Sequence, residues 1–214
     1  MDADIMQKIR QRQALALVPR TDKPAKHQPE MLYIGCIDAR LDPVADIGIE
    51  QGKALIHRTI GAVVAGLDEQ GKPRHLSEAA SVEFAVNVMK VKHIVVSAHT
   101  NCGGLGECLR GDNKPETSHL TEYLEPLLPV REAVLEHPGE EEAHAHAMEE
   151  GSVRQSIDNL RTYPFVAEAE KRGELQLHGW VIDTATKLIS EMNPQTLQFK
   201  PMAAARGTGA GPGR

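Results

Sequence analysis

A near-continuous apolar run of strand length, residues 31–37, limits most strongly what this chain can fold into. Because polar residues do not alternate along it, the run is typical of a strand buried on both faces, as in a parallel sheet. Residues 54–60, 93–99 and 174–182 are further runs of strand length. A chain with four such runs needs layers of helices to cover its sheet.

Helical patterns lie between these runs. In residues 77–89, apolar side chains recur at a spacing of four, and Ser77 at the start of this segment is a candidate N-cap. Residues 118–136 and 150–172 are also predicted helical, with breaks near Pro138 and at Pro164, and residues 187–189 can pair as an edge strand. The pattern predicts an α/β fold: a mainly parallel four-stranded sheet plus an edge strand, flanked by helices.

The ends of the chain differ in composition from its middle. Residues 4–18 form a loose amphipathic helix pattern, and residues 20–30 are polar with two prolines, which predicts an extended linker. Residues 203–214 are small and glycine-rich, typical of a disordered tail. We therefore divide the chain into an N-terminal helical arm and linker (1–26), one domain (27–202) and a tail (203–214).

Charge and cysteine content narrow the class of protein. The net charge of -6 gives no electrostatic reason to bind nucleic acid or an anionic membrane. No segment approaches the roughly 20 apolar residues that cross a bilayer, and the acidic start lacks the features of a secretory signal. Three cysteines do not make a disulfide framework and indicate a reducing compartment. We expect a soluble, cytoplasmic protein.

Three residues form a candidate metal site. Cys36 and His99 end two predicted strands, and the crevice beyond the carboxyl ends of such strands is where ligands bind. Cys102 follows His99, and a turn containing Gly103 and Gly104 can fold its thiolate back. Two thiolates and one imidazole suit Zn²⁺, and three protein ligands with an open fourth position describe a catalytic site. By spacing alone, buried thiols and a surface imidazole remain the alternative.

A charged pair stands beside the first of these residues. Asp38 follows Cys36 by two positions, and a carboxylate there needs a partner if it is desolvated. Arg40 can supply one through a bidentate contact. A structural salt bridge is the alternative reading of this pair.

Residues 36–40, Cys-Ile-Asp-Ala-Arg, followed by residues 99–103, His-Thr-Asn-Cys-Gly, resemble the signature of the β-carbonic anhydrase family. Residues 57–61, 81–86, 153–164 and 177–180 resemble further segments of that family. The resemblance implies a zinc enzyme that reversibly hydrates CO₂ to bicarbonate and a proton, with residues 27–202 as its catalytic domain. It also implies a homodimer or dimer of dimers, with the N-terminal helix packed on a partner subunit.

The resemblance further implies roles for individual residues. Zinc held by Cys36, His99 and Cys102 lowers the pKa of bound water towards ~7, and the resulting hydroxide attacks CO₂. Asp38, ionised and held by Arg40, accepts the hydrogen bond of that hydroxide. In some members this Asp swings onto zinc, which makes Arg40 a latch. The substrate-side positions are Gly103, Gly104 and His27, the last standing where the family often places a glutamine from the partner subunit.

Several residues depart from the family pattern or carry a second reading. Ala98 replaces a usual glycine, Thr59 replaces a common asparagine, and Tyr33, Arg58 and Ile182 match a non-catalytic bicarbonate pocket only in part. We interpret Cys108 as a buried thiol rather than a fourth ligand. The remaining candidates read as structural or solvated residues rather than proton relays, metal ligands or substrate contacts: His57, His93, His137, His144, His146 and Trp180.

Two other functions stay open from the sequence. Hydrolysis of carbonyl sulfide or carbon disulfide on the same scaffold would use the same metal motifs. A non-catalytic zinc or bicarbonate-binding protein would need a full protein ligand set and no orienting carboxylate.

Overall fold

The computed structural model describes Met6 and residues 27–112 and 114–202. Apart from Met6, the predicted N-terminal helix at 4–18 lies outside the described residues, as do most of the predicted linker and the predicted tail at 203–214. Among the described residues, no helix is both long and apolar enough to span a membrane.

A six-stranded sheet forms the centre of the domain. Its strands are β1 (Met31–Cys36), β2 (Ala54–Thr59), β3 (His93–His99), β4 (Gln176–Ile182), β5 (Ile189–Met192) and β6 (Phe199–Pro201). Their order is β2-β1-β3-β4-β5-β6. β1 to β4 run parallel to one another, β5 pairs antiparallel with β4, and β6 pairs antiparallel with β5. The predicted α/β fold with four parallel strands is confirmed.

The antiparallel edge is larger than predicted. The expected edge strand at 187–189 begins only at Ile189, because Asp183 accepts hydrogen bonds from the next backbone N–H groups and closes a turn there. β6 was not predicted at all. Its three residues, Phe-Lys-Pro, are too few and too polar to show a strand pattern.

Helices cover the sheet. They are α1 (Pro43–Ile47), α2 (Leu76–Glu83), α3 (Gly103–Arg110), α4 (Ser118–Leu124), α5 (Leu128–Leu135), α6 (Glu141–Arg161) and α7 (Pro164–Lys171). Short 3₁₀ turns lie at Ile60–Ala62, Pro115–Thr117 and Glu125–Leu127, and a π-helical turn at Phe84–Val88 extends α2.

Two helix boundaries correct the sequence prediction. Ser77 is not the N-cap of α2, because the helix already begins at Leu76 and His75 occupies the cap position without a side-chain hydrogen bond. α6 begins at Glu141 rather than near residue 150. Its first turn carries Glu141 and Glu142, whose negative charges favour a helix N-terminus.

The core is aliphatic and lies where helices press on β1 and β3. β1 buries its last five residues, and β3 buries its last six. α6 packs against β3 and β4, and Gly179 allows this approach, because a Cβ there would stand 2.6 Å from Val153 Cγ1. The long helix thereby packs closely on β4, the neighbour of the strand that ends in His99.

Strand order positions the site. From β1 the chain crosses to β2 on one side, while β3 lies on the other, so the order reverses between β1 and β3. In open parallel sheets, ligands bind beyond the carboxyl ends of strands at such a reversal. Cys36 is the last residue of β1, and His99 is the last residue of β3.

Candidate metal centre

The three predicted ligands meet at this reversal. Cys36 and His99 end neighbouring parallel strands, and Cys102 directly precedes α3. Their ligand atoms all lie within 4.8 Å of one another, and the two sulfurs are 3.9 Å apart. All three side chains are buried, at 5%, 0% and 6% exposure respectively. Within the described residues, no other group of three or more such side chains converges in this way.

The geometry and protonation of these residues fit zinc. Two sulfurs on one tetrahedral zinc, each about 2.3 Å from the metal, lie roughly 3.8 Å apart. His99 Nδ1 is 3.0 Å from the Thr100 carbonyl oxygen, which only accepts, so Nδ1 donates and Nε2 is left with its lone pair. Nε2 is buried without a hydrogen-bond partner. An orphaned buried nitrogen costs about 1–3 kcal/mol, and ligation of a metal removes that cost.

The two thiols interact strongly with each other. The hydrogen bond from Cys102 lowers the pKa of Cys36 well below the usual range of a thiol. The same contact, followed by burial, raises the pKa of Cys102. One thiolate therefore forms readily, and a divalent cation bound to both sulfurs replaces the remaining proton.

Asp38 and Arg40 form a bidentate ion pair beside the ligands. Arg40 Nε donates to Asp38 Oδ1 at 2.9 Å, and Arg40 Nη2 donates to Oδ2 at 2.7 Å. The guanidinium and the Arg40 backbone N–H hold the pKa of Asp38 well below its usual range, so the carboxylate is ionised. Oδ2 lies 3.8 Å from His99 Nε2 and thus faces the metal-binding atoms.

Arg58 braces the turn that carries this pair. Its Nε donates to the Cys36 carbonyl at 2.8 Å, and its Nη2 donates to the Asp38 carbonyl at 2.7 Å. Arg58 is also one of the three residues, with Tyr33 and Ile182, that match a non-catalytic bicarbonate pocket only in part. Tyr33 is 1% exposed and packs beside Gly35, and Ile182 pairs with His99 in the sheet.

The turn after β3 carries a contact that no motif indicated. Asn101 has a left-handed backbone (φ 57°), its N–H donates to Glu149 Oε1 at 2.7 Å, and its carbonyl accepts from Arg40 Nη2 at 2.8 Å. Glu149 lies in α6, is 4% exposed, and has its pKa raised by burial. The sequence-based helix began one residue after Glu149, so only the structure identifies this residue.

The predicted substrate-side residues are placed differently from one another. A Cβ at Gly103 would meet nothing within 4 Å, so this position borders open space. A Cβ at Gly104 would stand 2.4 Å from Ile60 Cγ2, which makes that glycine necessary for the packing of α3. His27 precedes β1, so within the same subunit it lies at the amino-terminal end of that strand, whereas Cys36 lies at its carboxyl end.

The remaining candidates lie apart from the centre. Cys108 is buried within α3, and burial raises the pKa of its thiol. His57 contacts Ser81 Oγ at 3.0 Å. His93 begins β3, six residues and roughly 20 Å along the strand from His99, and therefore lies far from the metal-binding atoms. His144 and His146 belong to α6, and Trp180 Nε1 donates to Glu191.

Known proteins resemble the chain over nearly its whole length. A family profile described as carbonic anhydrase matches residues 31–189. A carbonic anhydrase of Pseudomonas aeruginosa is 33% identical, covering 88% of this chain and 86% of the relative. Carbonic anhydrase 1 of Escherichia coli O157:H7 is 33% identical, covering 84% and 80% respectively.

Solved structures of β-carbonic anhydrases also superpose on this chain. The β-carbonic anhydrase of Coccomyxa, solved with acetazolamide, superposes with a TM-score of 0.71 at 26% identity and covers 94% of this chain and 89% of its own. A tetrameric β-carbonic anhydrase of Sordaria macrospora superposes with a TM-score of 0.70 at 24% identity, covering 88% and 96%. With the profile, the relatives and the Cys-His-Cys centre in agreement, the chain belongs to the β-class carbonic anhydrase family.

Proposed function

We propose that this carbonic anhydrase catalyses the reversible hydration of CO₂ to bicarbonate and a proton through Asp38, held ionised by Arg40 beside the Cys36, His99 and Cys102 centre. The observation that carries the proposal is the 3.8 Å approach of Asp38 Oδ2 to His99 Nε2. Zinc at the three ligands supplies Lewis acidity that brings the pKa of a water molecule towards ~7. A non-catalytic zinc site has no need of an oriented carboxylate at that place.

Asp38 acts as a fixed hydrogen-bond acceptor. With both oxygens held by Arg40, it accepts a hydrogen bond from the reacting water on the side facing the metal. That hydrogen bond aims an oxygen lone pair at the carbon of CO₂, an orientation effect that lowers the activation barrier. Release of Arg40 would let the carboxylate rotate towards the ligands and close the site, so Arg40 is a latch as well as a partner.

Gly103 forms the substrate side. Its lack of a side chain leaves open space next to Cys102, where a linear triatomic substrate fits. The N–H groups of Gly104 and Leu105 face the Cys102 sulfur. Gly104 thereby supports the thiolate, which is a more limited role than contact with substrate oxygens.

A second copy of the chain completes the site. Several apolar side chains are exposed, among them Ile37, which follows Cys36, at 56%, Ile56 at 40% and Phe84 at 43%. Ile56 lies on β2, an edge strand, and such edges are usually covered. A homodimer, or a dimer of dimers, covers these residues and brings His27 of a partner to the substrate. The tetrameric Sordaria structure supports this assembly.

The two thiolate ligands require a reducing compartment. Cys36 and Cys102 bind metal only while reduced, and their sulfurs lie 3.9 Å apart. A reducing compartment keeps them so, which favours the cytoplasm.

Substrate choice is tested by turnover of the purified, zinc-loaded protein. We expect CO₂ hydration with saturable kinetics and much slower hydrolysis of carbonyl sulfide. Activity on carbonyl sulfide alone would overturn the assignment of CO₂ as substrate.

A further inference from the structure

A buried carboxylate, Glu149, lies behind the metal-binding turn and takes no part in the mechanism described so far. It is 4% exposed, and its nearest basic group is His146, whose Nδ1 is 3.7 Å from Oε2 and which is itself mostly exposed. Burying a carboxylate without a close cation is costly. Such a residue therefore needs a compensating contact.

That contact is the backbone of the turn. Glu149 Oε1 accepts the Asn101 N–H at 2.7 Å, and the carbonyl of the same Asn101 accepts Arg40 Nη2 at 2.8 Å. Asn101 has φ 57°, a left-handed conformation that asparagine tolerates better than most residues, and the hydrogen bond to Glu149 stabilises it there. Glu149 fixes the N–H side of Asn101 and thereby the direction of its carbonyl.

The chain of contacts continues to the reacting side. Arg40 Nη2 is shared between the Asn101 carbonyl and Asp38 Oδ2. Arg40 is about half exposed, so these two acceptors determine where its guanidinium points. Lys187 Nζ donates to the Arg40 carbonyl at 2.7 Å and anchors the backbone but not the guanidinium.

We infer that Glu149 is a positioning residue for the reaction: it orients the Asn101 carbonyl, which seats Arg40, which holds Asp38 off the metal and aligned with the reacting water. This inference rests on the proposed function of Asp38. The required property is an acceptor oxygen at the position of Oε1. The negative charge of Glu149 is not required.

Three substitutions separate the acceptor from the charge. Glu149→Gln keeps an acceptor oxygen and loses the charge, Glu149→Asp keeps the charge and withdraws the oxygen, and Glu149→Met keeps the volume and loses both. Glu150→Met is the matched control, because Glu150 pairs with Arg154 and with His146, the histidine that also neighbours Glu149, while none of its ion pairs reaches the turn. Zinc content and melting temperature are measured for every variant.

We expect Glu149→Gln and Glu150→Met to retain kcat/KM for CO₂ within about threefold, and Glu149→Met to lose ~30-fold at unchanged zinc content, as misplacement of a reacting group does. Glu149→Asp falls between them. In an Arg40→Ala background, Glu149→Met is expected to lower kcat/KM by no more than about threefold, because the effects of residues that act through one series of contacts are not additive. An equal loss in both backgrounds, or an Asp variant more active than the Gln variant, overturns the inference.

A second readout does not depend on activity. The Arg40 Nε–H signal in ¹⁵N NMR is expected to be sharp and protected in the wild type and Glu149→Gln, and broadened by exchange in Glu149→Met. An unchanged signal in Glu149→Met contradicts the inference. Should Glu149→Met fail to fold, the comparison of Gln with Asp still decides. A wild type without CO₂ hydration would refute the proposed function instead, and the NMR comparison would still test the positioning.

Discussion

Asp38 Oδ2 lies 3.8 Å from His99 Nε2 while both oxygens of Asp38 are held by Arg40. The carboxylate is therefore close to the metal-binding atoms and restrained from joining them. In the proposed mechanism this relationship keeps the fourth metal position open, because a fourth protein ligand would close the site.

Removal of a ligand is predicted to remove the metal. Cys102→Ser takes away one of two thiolates, so we expect zinc content to fall from one per chain to a small fraction and activity to be lost. Cys108→Ala is the control, because Cys108 is buried in α3 outside the ligand cluster. It is expected to keep full zinc content and lose about 1–2 kcal/mol of unfolding free energy. Metal analysis and denaturant unfolding check both, and zinc loss in Cys108→Ala would contradict the three-ligand assignment.

Adjacent glycines are predicted to respond in opposite ways. A Cβ at Gly104 would stand 2.4 Å from Ile60 Cγ2, so Gly104→Ala is expected to lower the free energy of unfolding by about 1–3 kcal/mol. A Cβ at Gly103 meets nothing within 4 Å, so Gly103→Ala is expected to change it by less than about 1 kcal/mol. Urea unfolding of both variants tests this, and equal losses would show that α3 packs otherwise.

Acid sensitivity is predicted at the amino-terminal end of β3, where His93 lies. The pKa of His93 is lowered, first by burial, then by His178, whose Nε2 is 3.1 Å from His93 Nδ1, and then by Lys92. Glu30 raises this pKa to a smaller extent. A lowered folded-state pKa gives stability that is present above the unfolded pKa of about 6.5 and is lost as pH falls through the folded value.

His93→Gln is therefore expected to lose less stability than the wild type between about pH 7.5 and about pH 5, two values that bracket the ordinary histidine pKa of about 6.5. Thermal unfolding at the two pH values measures this difference. Equal losses in the two proteins would show that His93 does not sense the change.

The exposed β2 edge is predicted to be an interface. Ile56→Asp places a charge in the proposed contact, so we expect light scattering to report monomers and kcat/KM to fall at least tenfold, since the partner's residues leave the site. Leu135→Asp is the control, because Leu135 is 45% exposed on α5 and is expected to leave the assembly intact. A dimeric Ile56→Asp protein would place the interface elsewhere.

The features that could be predicted from the sequence are those that depend on local sequence patterns. Buried strands such as 31–36 and 93–99 are visible as apolar runs, and because they end in Cys36 and His99, strand topology made these two residues candidates, while the family resemblance assigned the ligand set. What the sequence did not predict depends on tertiary contact. Glu149 and Asn101 are 48 residues apart, and neither carries a pattern that links them. β6 is three residues long and exists only because β5 offers it an edge.

Activity of Asp38→Asn tests the central claim most directly. Stopped-flow CO₂ hydration is compared for the wild type and Asp38→Asn, each carrying one zinc per chain. We predict a wild-type kcat/KM above about 10⁴ M⁻¹s⁻¹, and a loss of ~100-fold in the variant at unchanged zinc content. A zinc-loaded wild type no faster than buffer, or an Asp38→Asn variant as active as the wild type, would contradict the account.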